Sequence, residues 1–380
     1  YLVHSAEGLT VDAYLRLRNE PAHQATREEV VEVVDHLFAQ AVTRQYEKDR
    51  EYGYDHLATL SGGLDSRMNV WVAHRLGYAP QVAFTFAQTG YLDERIARRI
   101  TSDLGLEFVF YSLDGGHYVI PQFRPAMQAN GGLVIFSGSA HLLAALRRLD
   151  MRRSGLLHTG MIGDAVLGSF IKDMAPRRAR LGEGAYSKHL LRRVAPDVER
   201  ILESYETEDE FLMYNRAFNG ALNGNWTTYQ LTECASPFLD RDMLVYSMRI
   251  PRALRCKEQI YRDWILAKHP GAARYMWEKA KARVGDPALV ACLKKYAWMA
   301  GIVLRGRWDQ VSMNPFKHWY KANPALRKFV LDYWRDHAPL LDAYPDLRED
   351  CRSLFEEGPR GFLEKAQVMT LLAAMEMYFS

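Results

Sequence analysis

Leu60-Ser61-Gly62-Gly63-Leu64-Asp65-Ser66 is the stretch that decides the fold. It follows a short apolar run, Leu57–Leu60, and leads into a segment with helical spacing from Ser66 to Leu76, which stops at Gly77 as a helix does. Glycines let backbone approach a ligand closely, and N–H groups at a helix N-terminus favour an anion. The two serines add hydroxyl donors, and Asp65 is a residue type that holds a divalent cation against phosphate oxygens. No GxxxxGK lysine follows, which excludes a Walker loop. A bare Gly-Gly would be read as a packing turn; the complete SGGxDS after an apolar strand is read as a phosphate loop.

Outward from the loop, strands and helices alternate. Gln81–Phe86 reads as a strand, and Asp93–Leu104 as an amphipathic helix with Ile96, Ile100 and Leu104 on one face. Glu107–Ser112, Leu133–Phe136 and Gly155–His158 read as further strands, with Ala140–Leu149 helical between the last two. Upstream, Glu28–Gln45 reads as a helix capped by Thr26. This alternation predicts an α/β fold, a parallel sheet with helices on both faces, followed by a mainly helical C-terminal region. The divisions expected are a lead-in at 1–25, a nucleotide-binding α/β domain at 26–170 and a helical region at 171–380.

Composition narrows the function classes. The 380 residues carry 49 Lys+Arg against 46 Asp+Glu, a formal charge of +3, so no dedicated polyanion stripe and no nucleic-acid partner is expected. No apolar run approaches the roughly 18 residues of a membrane span, Tyr296–Leu304 being among the longest, so no membrane partner is expected either. Cys234, Cys256, Cys292 and Cys351 are far apart and form no CxxC pair, which leaves reduced thiols and a cytoplasmic location as the expectation. His56, His74, His117, His141 and His158 form no metal-ligand spacing and read as structural or exposed. Arg147-Arg148, Arg152-Arg153 and Arg177-Arg178 read as solvated faces, and Trp308, Trp319, Tyr320 and Trp334 as packing aromatics.

SGGLDS resembles the signature of the PP-loop ATP pyrophosphatases, and further motifs extend the likeness to the asparagine-synthetase-like synthetase domain over roughly residues 25–285. Thr85-Phe86-Ala87 through Asp93-Glu94 is similar to that family's second strand and helix. Thr159-Gly160-Met161-Ile162-Gly163-Asp164 resembles its second nucleotide loop, (S/T)GxGxD. Glu233 with Ser236-Pro237-Phe238-Leu239-Asp240 is similar to its PFLD segment, and Trp277-Glu278-Lys279 to its lysine-bearing one. The resemblance implies an adenine nucleotide alpha hydrolase-like fold and an ATP-dependent amide-forming ligase. Such an enzyme adenylates a small-molecule or peptide carboxylate, releases pyrophosphate and passes the acyl group to ammonia or an amine. It also implies roles. Ser61, Gly62, Gly63 and Ser66 would bind the pyrophosphate portion of ATP; Asp65 and Asp164 would hold Mg²⁺. Leu60, Thr159 and Gly160 would contact the adenosine end, and Lys279, with Lys281 as the alternative, would neutralise developing charge. Glu233 is the remaining acid for proton handling.

The departures are specific. Met161 stands where the family carries a Glu or Tyr, Ile162 where it carries Gly, Ala165 where it carries an acid, and Ala235-Ser236 before PFLD. Free aspartate is therefore not the expected substrate, and ammonia is the expected nucleophile, since Met161 cannot accept a proton. Residue 1 is Tyr, and the N-terminal Cys of the family's glutaminase has no counterpart, so either a glutaminase lies upstream in a longer or cleaved precursor, or a partner supplies ammonia, or the nucleophile is an amine. An intramolecular amide ligase of the β-lactam synthetase or lasso peptide cyclase type, and a nucleotide-binding scaffold without chemistry, are the alternatives.

Overall fold

A computed structural model describes residues 1–21, 25–359 and 361–379. The chain opens with an exposed antiparallel hairpin, β1 (Leu2–Ser5) and β2 (Gly8–Val11). Helix α1 (Arg27–Tyr52) starts at Thr26, whose side chain accepts from Glu29 N while the Glu29 carboxylate returns to Thr26 N, a closed capping box. It runs past the expected Gln45 and stops at Gly53, which takes φ 72°.

The order that follows is β3 (Asp55–Thr59), α2 (Asp65–Arg75), β4 (Gln81–Ala87), α3 (Leu92–Leu104), β5 (Glu107–Ser112), α4 (Val119–Asn130), α5 (Phe136–Leu146) and β6 (Ser154–His158). These strands are all parallel in the order β5-β4-β3-β6, and β7 (Cys234–Ala235) adds to β6 at the edge. Period-two alternation covers both faces, as expected for a parallel sheet. Leu57, Phe84 and Leu157 pack with Ala145 and Leu146 of α5, while Ala58 and Ala83 pack with Val70 of α2 and Ile96 and Ile100 of α3. The strand order reverses between β3 and β6, so a crevice opens beyond their C-terminal ends.

One expected strand is corrected. Leu133–Phe136 joins no ladder: Gly131 and Gly132, both at positive φ, turn the chain from α4 into α5, which begins at Phe136. Phe136 packs edge-on to Phe123, 4.7 Å between centroids. A four-residue apolar run looks the same whether it is a strand or the buried start of a helix. The fifth strand comes from the far side of the helical stretch, at Cys234–Ala235. Beyond it lie α6 (Gln259–Lys268), the short antiparallel pair β8 (Met276–Trp277) and β9 (Ala282–Arg283), α7 (Ala288–Leu304) and α8 (Phe362–Phe379). Trp264 of α6 packs on Phe38 of α1, and Phe362, Met369 and Leu372 of α8 close a second core against α4 and α5.

Asp49 ties α1 to the sheet beneath the crevice. Its Oδ2 lies 3.0 Å from His56 Nδ1 and 2.6 Å from His158 Nε2, and Oδ1 accepts from Leu156 N at 2.9 Å. Tyr46 stacks on His158 at 3.7 Å between centroids. Burial pushes Asp49 up, but the hydrogen bonds from His158 and His56 outweigh it and hold the carboxyl below its ordinary value. Burial pushes His158 below 6.5 despite its bond to Asp49. The unfolded chain thus takes up these protons at higher pH than the fold does. The cluster's contribution is present above pH 6.5 and is lost as pH falls through the folded values. The thermal midpoint should therefore fall between about pH 7.5 and about pH 5, with a shallower fall in His158→Gln. A midpoint flat across that range in the parent chain would refute the assignment.

Candidate nucleotide-binding and ligase site

The first loop leaves β3 and enters α2 at Asp65. Ser66 Oγ accepts from Ser61 N and lies 3.0 Å from Ser61 Oγ, and Ser61 Oγ accepts from Gly63 N at 3.1 Å. The two hydroxyls and the N–H groups of Ser61 and Gly63 thus bond to one another and hold the turn closed. Gly62 is required by packing: a Cβ there would sit 2.8 Å from Glu278 Cβ and 2.9 Å from Ile96 Cδ1. Its N–H goes to Asp93 Oδ1 at 2.7 Å, and burial, despite that bond, pushes the Asp93 carboxyl up to about 6.

Arg67, one helical position beyond the loop, is fully buried. It donates to Gly62 O (2.9 Å), Met276 O (2.6 Å), Ala272 O (3.2 Å) and Tyr275 O (3.3 Å). Gly62 O also accepts from Glu278 N at 2.9 Å. The phosphate loop and the lysine-bearing hairpin β8–β9 are thereby one unit.

The second loop leaves β6, the neighbour of β3. Thr159 Oγ1 and Thr159 N both donate to Ala235 O, at 3.0 and 2.7 Å. Gly160 lies directly on α2: a Cβ would be 2.2 Å from Asp65 C and Ser66 N. Ile162 occupies the expected glycine position and adopts the backbone glycine favours there, φ 58° and ψ 14°, a strained conformation for a β-branched residue. That turn carries Asp164 to face Asp65.

Asp65 is partly exposed and accepts from Tyr261 Oη at 2.8 Å. Loss of surrounding water, and then the Asp164 charge, push its carboxyl up to about 8. Asp65 and Asp164, both offering hard oxygens, form a donor set that fits Mg²⁺. Lys279 Nζ stands 3.6 Å from Asp164 Oδ2 and is held by both oxygens of Glu258, at 2.8 and 2.9 Å. Burial would lower Lys279, but Glu258, with Asp164 and Asp65 beyond it, keeps the ammonium above its ordinary value. Lys281 is turned elsewhere: it pairs with Glu278 and sits 4.1 Å from the Trp298 ring centroid. The geometry therefore joins Lys279, not Lys281, to the carboxylate pair.

A cavity of about 400 Å³ opens between the loops. Leu60, Ser61, Gly63, Asp65, Ser66, Thr159 and Gly160 line it, while Gly62 supports the loop from behind. Met161 and Cys234 line it too, and His141, pushed down to about 4 by burial, forms part of a neutral wall with Phe84. Glu233 is exposed and is not among the lining residues; its carbonyl accepts from Leu157 N at 2.8 Å. Sequence reasoning missed Arg67, Glu258 and Tyr261. An arginine among the apolar residues of α2 was a readable signal. Glu258 had none, because it is aimed by two successive left-handed residues, Lys257 (φ 54°) and Glu258 (φ 61°), neither of a type that favours that region.

The family model described as asparagine synthase matches residues 33–268. The chain belongs to the asparagine synthase family. It is thus a member of a family of ATP-using amide ligases, and both loops, Glu258 and Tyr261 lie inside the matched segment, with Lys279 just beyond it. No curated protein matches the chain in sequence. Among solved structures, NAD+ synthetase from Burkholderia pseudomallei is similar at 16% identity and a TM-score of 0.27, covering 67% of this chain and 98% of that one. At that level nothing of its site is carried over.

Gly160→Ala should separate the two loops, because the clash is with backbone that cannot swing aside. The expected cost is about 1–3 kcal/mol of stability together with loss of ATP binding. Gly301→Ala, where a Cβ meets nothing within 4 Å, should keep both. Calorimetric titration with ATP and thermal melts check this, and a Gly160→Ala protein binding ATP normally would refute the close approach.

Proposed function

We propose that this family member joins a carboxylate to ammonia or an amine through an acyl-adenylate. The observation that supports it best is the convergence of Asp65, Asp164 and Lys279 beside the serine- and glycine-rich turn that leads from β3 into α2. A substrate carboxylate oxygen attacks the α-phosphorus of ATP; the Pα–O–Pβ bond breaks and pyrophosphate leaves. The nitrogen then forms a bond to the acyl carbon, the C–O bond to AMP breaks, and the nitrogen's proton passes to a base.

Each residue has a place in this scheme. Ser61, Gly63 and Ser66 bind the departing pyrophosphate, with Gly62 keeping the turn closed against Glu278. Leu60, Thr159 and Gly160 border the adenosine end. Mg²⁺, when bound, supplies charge neutralisation on the polyphosphate, and Asp65 and Asp164 are the residues that hold it. Lys279, oriented by Glu258, offsets charge on the phosphates and on the tetrahedral intermediate. Met161 contributes an apolar wall that suits neutral ammonia and accepts no proton. Glu233, one residue from cavity-lining Cys234, is the acid assigned to take up the nitrogen's proton. Small-molecule or peptide carboxylates are the substrate class, with ammonia delivered free or by an upstream or separate glutaminase.

Incubation with ATP, Mg²⁺, ammonium and a carboxylate pool should release AMP and pyrophosphate in equal amounts, read by phosphorus NMR and mass spectrometry. Release of ADP and orthophosphate would overturn the scheme. Asp164→Asn and Lys279→Gln should each lower turnover about a hundredfold or more. Lys281→Gln, outside the carboxylate cluster, should change it by less than about tenfold. Equal losses at both lysines would remove the distinction drawn between them.

A further inference from the structure

Helix α7 turns an apolar stripe outward. Leu289, Leu293, Tyr296, Ala300, Val303 and Leu304 fall within an arc of about 100° on a helix of 3.6 residues per turn. Leu289 and Tyr296 are each 72% exposed and Leu304 85%. On the opposite side, Ile302 is the one residue of α7 that is buried, and Trp298 lies under Lys281. The usual arrangement, with the apolar face on the core, is thus inverted. Lys294 and Lys295 leave the helix about 130° to either side of the stripe's centre, Lys294 into a pairing with Asp286, and Trp308, 49% exposed, follows just past its end.

Beside the stripe runs a basic groove of about 850 Å³, which Lys294, Ala297 and Trp298 share with Arg95 and Arg99 of α3 and with Arg283 of β9. The neighbouring acids are already taken: Asp286 pairs with Lys294 and Asp103 with Arg274. Arg95 and Arg99 form no ion pair among the described residues, while Arg283 donates its backbone N–H to Asp286 Oδ2 at 3.0 Å and, with Lys294, helps hold that carboxyl below its ordinary value. An exposed contiguous apolar patch marks a contact surface. A rim of unmatched cations selects a partner that is apolar inside and densely negative outside.

We propose that α7 and its basic groove dock the protein on the surface of an anionic phospholipid membrane. The stripe enters the boundary between headgroups and acyl chains, with Lys294 and Lys295 behind it on the water side. Tyr296 and Trp308 occupy the headgroup level, where amphipathic rings are favoured. Arg95, Arg99 and Arg283 meet lipid phosphates. This contact differs from a span: no helix among the described residues is long and apolar enough to cross a bilayer. The charge balance of the whole chain conceals it, because the surplus is local.

The test is co-sedimentation of the full chain with vesicles of phosphatidylcholine alone and with about one-third phosphatidylglycerol added. Binding to the anionic vesicles that weakens with added salt is expected, with little binding to the neutral ones. Leu293→Glu combined with Leu304→Glu, both at exposed positions, should lower the affinity tenfold or more with an unchanged circular dichroism spectrum. Arg95→Gln and Arg99→Gln should each lower it roughly fivefold. Absence of vesicle binding, equal binding to both compositions, or indifference to these substitutions would overturn the proposal. A dimer in sedimentation velocity that the doubly substituted chain no longer forms, without vesicle binding, would overturn it too and assign the stripe to a second copy.

Discussion

Contact between two backbones governs the site. The second loop lies so close to the N-terminus of α2 that only glycine fits at residue 160, and this brings Asp164, whose side chain stays 44% exposed, to face Asp65. The Asp164 charge bears on the Asp65 carboxyl, and the surroundings answer it. Tyr261 donates to Asp65, and Lys279 stands against Asp164 with Glu258 fixing its position. Ile162 accepts a left-handed backbone to keep the turn tight, at a cost on the order of 1–3 kcal/mol that the surrounding packing offsets.

Much of this was legible in the sequence because it rests on local chemistry. A glycine-rich turn between an apolar strand and a helical pattern has few other readings, and the Thr26 cap, the α3 face and the parallel strands follow from periodicity and capping rules. Three kinds of feature were not legible. Leu133–Phe136 is too short for its period to separate strand from helix. Cys234–Ala235 is a two-residue strand whose pairing with β6 is decided by tertiary placement of PFLD. Glu258 reaches Lys279 through a backbone conformation that its own residue type disfavours. Glu233 shows the opposite: a motif position identified from the sequence that the fold leaves exposed beside the cavity.

The two lysines show how spacing underdetermines role. Both lie on the β8–β9 hairpin, two residues apart, and the turn sends them in different directions. Lys279 faces the carboxylates, whereas Lys281, at φ 56°, faces Glu278 and the Trp298 ring. The second lysine thereby links the hairpin to α7, so the helix bearing the outward apolar stripe is braced against the back of the phosphate loop.

The Arg67 fork has a consequence in time. Its acceptors are one carbonyl five residues back and three more than 200 residues ahead, between Ala272 and Met276. As the chain is synthesised, the phosphate loop emerges early, yet its buried guanidinium has no set of acceptors until residue 276 has been made. Until then a cation with five donors lies unsatisfied beneath the loop, and burying it is unfavourable. Completion of the loop thus waits for the far end of the matched family segment and the hairpin after it. A nascent chain therefore holds no finished nucleotide site to engage ATP until the hairpin that also carries Lys279 is being built.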